Sequence, residues 1–234
     1  MSNLKKKMRP VTKAVIAAAG YGTRFLPATK NQPKEMLPII DKPIIQYLVE
    51  EAVASGIKDI IIVTRAGNTA LEDHFDSHIE LEHILSSNGK EKALLEVQKI
   101  PQLANIVYVR QKKHLPYGNA TPLLCAAPLI DNDEAFVYMF GDDLVQSKVP
   151  ATKQLIKIYK EHRPAAVIAV QEVSPEDVSR YGIVRYRKNT KIHQIDTLVE
   201  KPEREEAPSN MAQFGRFVFT YKVIETLRKT EVGK

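Results

Sequence analysis

An α/β fold with a mostly parallel sheet flanked by helices is predicted by three observations. Short apolar runs recur along residues 11–170, each the length of a buried strand. Apolar stripes at helical spacing alternate with them, the rhythm of strands covered on both faces. After residue 170 the rhythm changes to strands with no long helix between them.

Taken in order, residues 11–19 read as a first buried strand. Residues 20–42 hold Pro27, Pro33 and Pro38, which exclude a continuous helix. A loop of that length inside a compact chain is usually functional. Pro43 is expected in the first turn of a helix, with Asp41 just upstream. Ile44, Ile45, Leu48, Val49, Ala52 and Val53 form its apolar stripe, and Gly56 ends it. "IKDIIIVTR" is a second strand. Residues 69–98 read as helical, with acids and histidines on outer faces. "NIVYVRQ" is a third strand, residues 118–129 a helix, and "EAFVYMFGDD" a fourth strand ending in two aspartates. Residues 151–162 are helical and "AAVIAV" is a fifth strand. "GIVRYR", "KIHQIDTLVEK" and "MAQFGRFVFT" make the strand-rich second part, with "KPEREEAPSN" as a polar loop.

The bulk properties narrow the function classes. With 234 residues, 44% of them hydrophobic, the chain can bury a sizeable core. No window approaches the roughly 18 apolar residues of a membrane span. The N-terminal "LKKKMRP" followed by "AVIAAA" mimics a signal peptide. Its apolar run is shorter than the roughly 7–15 residues of such a segment, so residues 1–10 are expected to be a disordered basic tail. The lone Cys125 has no partner for an intramolecular disulfide, and a reducing cytoplasm is the default. Net charge is +6. No basic cluster interleaves with aromatics, which argues against nucleic acid. The cations suit a pocket for small polyphosphates.

In open α/β sheets, ligands bind beyond the C-terminal strand ends. Three segments fall there: the loop after the first strand, "VRQ" through "YGNA", and "GDD". In the first, Gly20 and Gly22 are spaced as in a dinucleotide loop, but Phe25 stands at the third glycine position, and the G-K-[ST] of a P-loop is absent. What remains is a turn whose backbone N–H groups could approach phosphate, with Arg24 and Lys34 on either side. A tight turn with solvated cations fits as well. Asp142, at the tip of a buried strand, has good geometry for Mg²⁺. A plain turn or helix cap would also place an Asp pair there.

The full string "AAGYGTRFLPATKNQPKEMLPIIDKPIIQY" closely resembles the signature of sugar-1-phosphate nucleotidyltransferases, and within them the bacterial UTP–glucose-1-phosphate uridylyltransferases. "GTRFLPATK", "PKEMLPI" and "DKPIIQY" match in order and spacing. The resemblance covers essentially residues 11–230. It implies a Rossmann-like sheet of the nucleotide-diphospho-sugar transferase type, a nucleotide-binding part over 11–170 and a sugar-binding part over 171–234, integrated as one domain. It implies that the backbone at Ala18, Ala19 and Gly20 meets the nucleoside. Arg24 would grip the leaving pyrophosphate, Lys34 would neutralise the triphosphate, and Glu35 would reach toward the uracil. Gln111 would read the uracil edge, with Gly118 under the base. Asp142 would hold Mg²⁺. Gly182 would meet the sugar hydroxyls, Glu200 would accept from them, and Lys201 would hold the sugar phosphate and the α-phosphate.

The implied reaction joins UTP and glucose-1-phosphate into UDP-glucose and pyrophosphate, in a cytoplasmic homo-oligomer. Thymidylyl or other nucleotidyl transfer is the nearest alternative, and a sugar-nucleotide-binding module without turnover is the alternative of another class. Two departures stand out. Pro116 and Asn119 replace a leading glycine and a "GHA"-like end in the base-contacting loop. The family also carries an "LTD"-like segment, with a second metal-binding aspartate, beyond the point where "RKTEVGK" ends this sequence. The chain is therefore expected to be C-terminally short.

Overall fold

The structure, a computed structural model, describes residues 9–231. The first strand, β1 (Lys13–Ala18), is wholly apolar after its lysine and lies in the middle of an eight-stranded sheet. The long loop follows as expected, but it is not featureless. It contains 3-10 turns at Thr23–Phe25 and Lys34–Met36 and a small hairpin of β2 (Pro38–Ile39) and β3 (Lys42–Pro43). Pro43 sits just before α1 (Ile44–Ala54) rather than within its first turn, because its backbone is extended in β3. Gly56, at φ 94°, turns the chain out of α1.

β4 (Asp59–Thr64) pairs parallel with β1. The single helical segment expected over 69–98 is instead three helices, α2 (Ala70–His74), α3 (Ile79–Ser87) and α4 (Glu91–Lys99). Polar turn residues at 76–78 and Asn88–Gly89, with Gly89 at φ 65°, interrupt it. His74 is also not on an outer face: it is half-buried, and its Nε2 lies 3.0 Å from Gln46 Oε1. β5 (Asn105–Arg110) pairs parallel with β4. α5 (Thr121–Ala126) leads to β6 (Ala135–Phe140), which pairs parallel with the other side of β1.

The chain then runs through α6 (Ala151–His162), β7 (Ala166–Glu172), β8 (Gly182–Tyr186), β9 (Ile195–Glu200), β10 (Met211–Thr220) and α7 (Tyr221–Leu227). β10 is antiparallel to β6, β7 and β8. The fifth apolar run, β7, therefore does not extend the parallel sheet directly; β10 lies between it and β6. The sheet order is β5-β4-β1-β6-β10-β8-β9, with β7 also on β10.

Side chains of β1 alternate between two cores, as the period of a strand requires. Ala14, Ile16 and Ala18 pack with α1 and α6. Val15 packs on the other face with α5 and Ile224 of α7. Cys125 is buried in that second core as a small hydrophobe. Each fully buried Ile or Leu contributes about 1.5–3 kcal/mol. One polar knot crosses the first core. Arg216 of β10 is fully buried and its Nη2 donates to Glu51 Oε2 at 2.9 Å. Glu51 Oε1 also accepts from the Thr152 backbone N–H at 3.0 Å and hydroxyl at 2.7 Å, capping the start of α6.

Residues 1–8 of the expected basic tail lie outside the described residues. Arg9 is held, donating to Asp131 at 2.8 Å. No helix among the described residues is long and apolar enough to cross a membrane.

Candidate active site

The C-terminal ends of β1, β5 and β6 open onto a cleft of ≈ 950 Å³. Ten residues singled out in the sequence line it. Ala19, Gly20, Arg24, Lys34, Gln111, Gly118 and Asp142 come from the first part, and Gly182, Glu200 and Lys201 from the second. Ala18 and Glu35 do not reach its wall.

The loop after β1 is shaped by its own residues. Gly22 is left-handed at φ 64°, a conformation glycine adopts without strain. Thr29 Oγ1 donates to the Gly22 carbonyl at 2.7 Å and ties the turn back on itself. This directs Arg24 into solvent, with its side chain 84% exposed. Lys34 instead folds under the loop, and its Nζ lies 2.6 Å from Asp142 Oδ2 at the tip of β6. Arg24 Nη2 approaches the same oxygen at 3.9 Å. Two cations thus converge on one carboxylate, a cluster that an anion of high charge can enter by displacing it.

Glu35 corrects the expectation of an acid reaching toward the base. Its side chain is 0% exposed and both carboxylate oxygens lack a hydrogen-bond partner. It packs beneath Gly141, where an added Cβ would meet Glu35 Cγ at 2.9 Å. The 3-10 turn at Lys34–Met36 turns successive side chains apart, so Lys34 takes the cleft and Glu35 the interior. Burial pushes the Glu35 carboxyl up to about 7, with the charge of Lys34, 4.0 Å away, opposing it.

Gln111 continues β5 by one bond: its N–H donates to the Thr64 carbonyl at 2.7 Å, which fixes the residue at the strand tip. Asp143 also lines the cleft, and it accepts from the Gly215 N–H at 2.7 Å, pinning β6 to β10. Burial raises its pKa.

On the opposite wall, Gly182 lies directly under Gln213. A Cβ there would come within 2.7 Å of Gln213 Nε2. Glu200 and Lys201 are both exposed, with Lys201 Nζ 3.9 Å from Glu200 Oε1. Lys201 has φ 45°, a left-handed bend at the end of β9, and its N–H donates to the Tyr181 carbonyl at 3.0 Å.

Tyr117, Arg180 and Gln213 are among the lining residues that escaped the sequence reading. Gln213 had no signal, since an amide in an alternating strand resembles any outward polar residue. Tyr117 stood next to Gly118, and its position in a polar loop was the available clue.

Among the described residues no three or more His, Cys, Asp or Glu side chains gather as a metal cage. The carboxylate donor in the cleft wall beside the two cations is Asp142. A single carboxylate fits a hard ion that takes its other oxygens from substrate phosphates and water.

The sequence matches the nucleotidyl transferase family over residues 13–233. A UTP–glucose-1-phosphate uridylyltransferase of Bacillus subtilis is 50% identical over 226 residues, which is 96% of this chain and 74% of that protein. An apo UDP-glucose pyrophosphorylase superposes with a TM-score of 0.86 at 42% identity, over 96% of this chain and 82% of the other. A UDP-glucose pyrophosphorylase complexed with UDP-glucose gives 0.80 at 40% identity, over 95% and 81%.

Proposed function

Since this chain belongs to the nucleotidyl transferase family, we propose that it forms UDP-glucose and pyrophosphate from UTP and glucose-1-phosphate. The observation that carries this reading is the composition of one cleft. Arg24, Lys34 and Asp142 stand on one wall, and Gly182, Glu200 and Lys201 on the other. A polyphosphate and a phosphorylated sugar meet between them.

In this reading a phosphate oxygen of glucose-1-phosphate attacks the α-phosphorus of UTP, and pyrophosphate leaves in line. The attacking oxygen is already anionic at neutral pH, so no general base is required. Positioning and charge neutralisation supply the catalysis. Lys201 holds the sugar phosphate near the α-phosphate. Lys34 exchanges Asp142 for phosphate oxygens, and Arg24, free to swing, follows the pyrophosphate. Ala19, Gly20, Gln111 and Gly118 seat the nucleoside, while Gly182, Glu200 and Gln213 face the sugar hydroxyls. Mg²⁺ held by Asp142 would supply further positive charge to the phosphate oxygens. One phosphoanhydride replaces another, so the reaction runs readily in both directions. We assign it to the cytoplasm, where UTP is made and Cys125 stays reduced, and to a homo-oligomer, whose size light scattering reads.

A coupled pyrophosphate assay tests the reading, with UTP against dTTP, with and without Mg²⁺. Lys201→Ala and Asp142→Ala are each expected to lose at least about 100-fold in turnover while keeping the wild-type circular dichroism spectrum. Near-normal UDP-glucose formation in either variant would falsify the assignment.

A further inference from the structure

Two tyrosines stand in water at the nucleotide end of the cleft, and neither the core nor the chemistry above accounts for them. Tyr117 is 71% exposed and Tyr21 59%. Their rings lie 6.2 Å apart at 31°. The Arg65 guanidinium sits 5.0 Å over the Tyr21 ring, a distance at which a cation is attracted to an aromatic face. Arg65, Tyr21 and Tyr117 form a row that links the loops after β4, β1 and β5.

The exposure of Tyr117 is imposed by its backbone. Thr121 Oγ1 donates to the Pro116 carbonyl, and the Thr121 N–H donates to the Gly118 carbonyl at 3.2 Å. The Tyr138 hydroxyl donates to the Asn119 carbonyl at 2.6 Å. A turn pinned on both sides of residue 117 holds the ring out of the core. There it borders two spaces. One is the main cleft, beside Gln111 and Gly118; the other is a pocket of ≈ 420 Å³ lined with Gly20, Arg24 and Lys34. Apart from its chain neighbours, no heavy atom lies within 4 Å of the position a Gly118 Cβ would take, so no other segment of the chain fills the space there. A ligand with a flat heterocycle at Gln111 and phosphates at Arg24 must pass Tyr117.

We propose that Tyr117 is an aromatic cover for the nucleoside of the bound triphosphate, stacking on its base, with Tyr21 and Arg65 braced behind it. The proposal rests on the reading above only in taking a nucleoside triphosphate as the ligand. Stacking is tolerant of base identity, because every base has a π-face. Tyr117 therefore sets affinity for the nucleotide and leaves the choice between UTP and dTTP to groups at the base edge.

Kinetics and calorimetry on the full chain test this. Tyr117→Ala is expected to raise KM for UTP about 10-fold. The KM for dTTP should rise by the same factor, with KM for glucose-1-phosphate and kcat within about twofold. Tyr117→Phe restores most of the affinity, and Tyr21→Ala costs less than Tyr117→Ala. The chain has no tryptophan, so Tyr117→Trp is a clean reporter whose emission UTP should quench. A Tyr117→Ala protein whose UTP affinity stays within twofold of wild type overturns the proposal. So does an equal loss for UTP and glucose-1-phosphate. Wild-type protein that binds no UTP removes the proposed function and the cover together. Wild-type protein that binds UTP, while Tyr117→Trp emission stays unmoved, removes the cover alone.

Discussion

Glu35, fully buried, and Glu51, with its side chain 9% exposed, are two carboxylates of the same half of the chain, and they are treated oppositely. Glu51 accepts from Arg216 and from both the backbone and hydroxyl of Thr152. Burial pushes its pKa up, but these partners win and hold it below the ordinary range. Glu35 has no hydrogen-bond partner at either oxygen, and burial wins, lifting it to about 7. The difference separates a carboxylate that builds the fold from one kept under tension beneath the candidate site. Unsatisfied buried groups are costly, and they persist most often where function requires the arrangement.

The largest expected effect breaks the satisfied member. Glu51→Ala leaves Arg216 charged and fully buried without its ion-pair partner, which should cost about 3–5 kcal/mol by urea denaturation at pH 7. A loss under 1 kcal/mol would show that the knot is ornamental. Next comes the unsatisfied member. Between pH 4.5 and about 7 the folded protein keeps a proton on Glu35 that the unfolded chain releases. Stability from this group is therefore lost as pH rises through that window, by about 3 kcal/mol in full. Glu35→Gln should raise stability by up to that amount at pH 8 and change little at pH 4. Equal stabilisation at both pH values would remove the titration from the account.

Acidification sharpens the contrast, because the sign reverses for Glu51. Its folded pKa is depressed, so its contribution is complete above the ordinary carboxylate pKa and disappears as pH falls through the depressed value. The stability of Glu51→Ala should hence approach that of wild type at the acid end, read from denaturation midpoints between pH 3 and 7. The smallest effect is Thr152→Val, which removes the hydroxyl bond but keeps the backbone one, and should cost about 1 kcal/mol.

Neither role was legible in the sequence. Glu51 is one acid of an adjacent pair on α1, and its partners are 101 and 165 residues away. Glu35 sat inside a recognisable motif, yet the motif could not say which side of a 3-10 turn it faced. The parallel strands were easy to find, because strands buried on both faces are continuous apolar runs. The pairing of β7 with β10 was not, since an apolar run carries no direction. The break at Asn88–Gly89 was available and was outweighed by the helical pattern around it. α7 is short and follows β10 without a turn signal. Among site residues, those delivered by strand tips and glycine turns could be named in advance. Gln213, set over Gly182, depends on what folds against it, and Tyr117 on the turn that holds it out.

The place of β10 has a mechanical consequence. It bonds to β6 and β8 along one edge and to β7 along the other, so the two walls of the cleft are parts of one continuous sheet. Swinging one wall against the other would tear ladder bonds on either side of the register shift between Gln213 and Phe217. The cleft behaves as a fixed jaw. Capture and release of substrates then fall to the loops around its mouth, above all the glycine turn carrying Arg24, and a rigid jaw sets the separation of the two phosphates before either arrives.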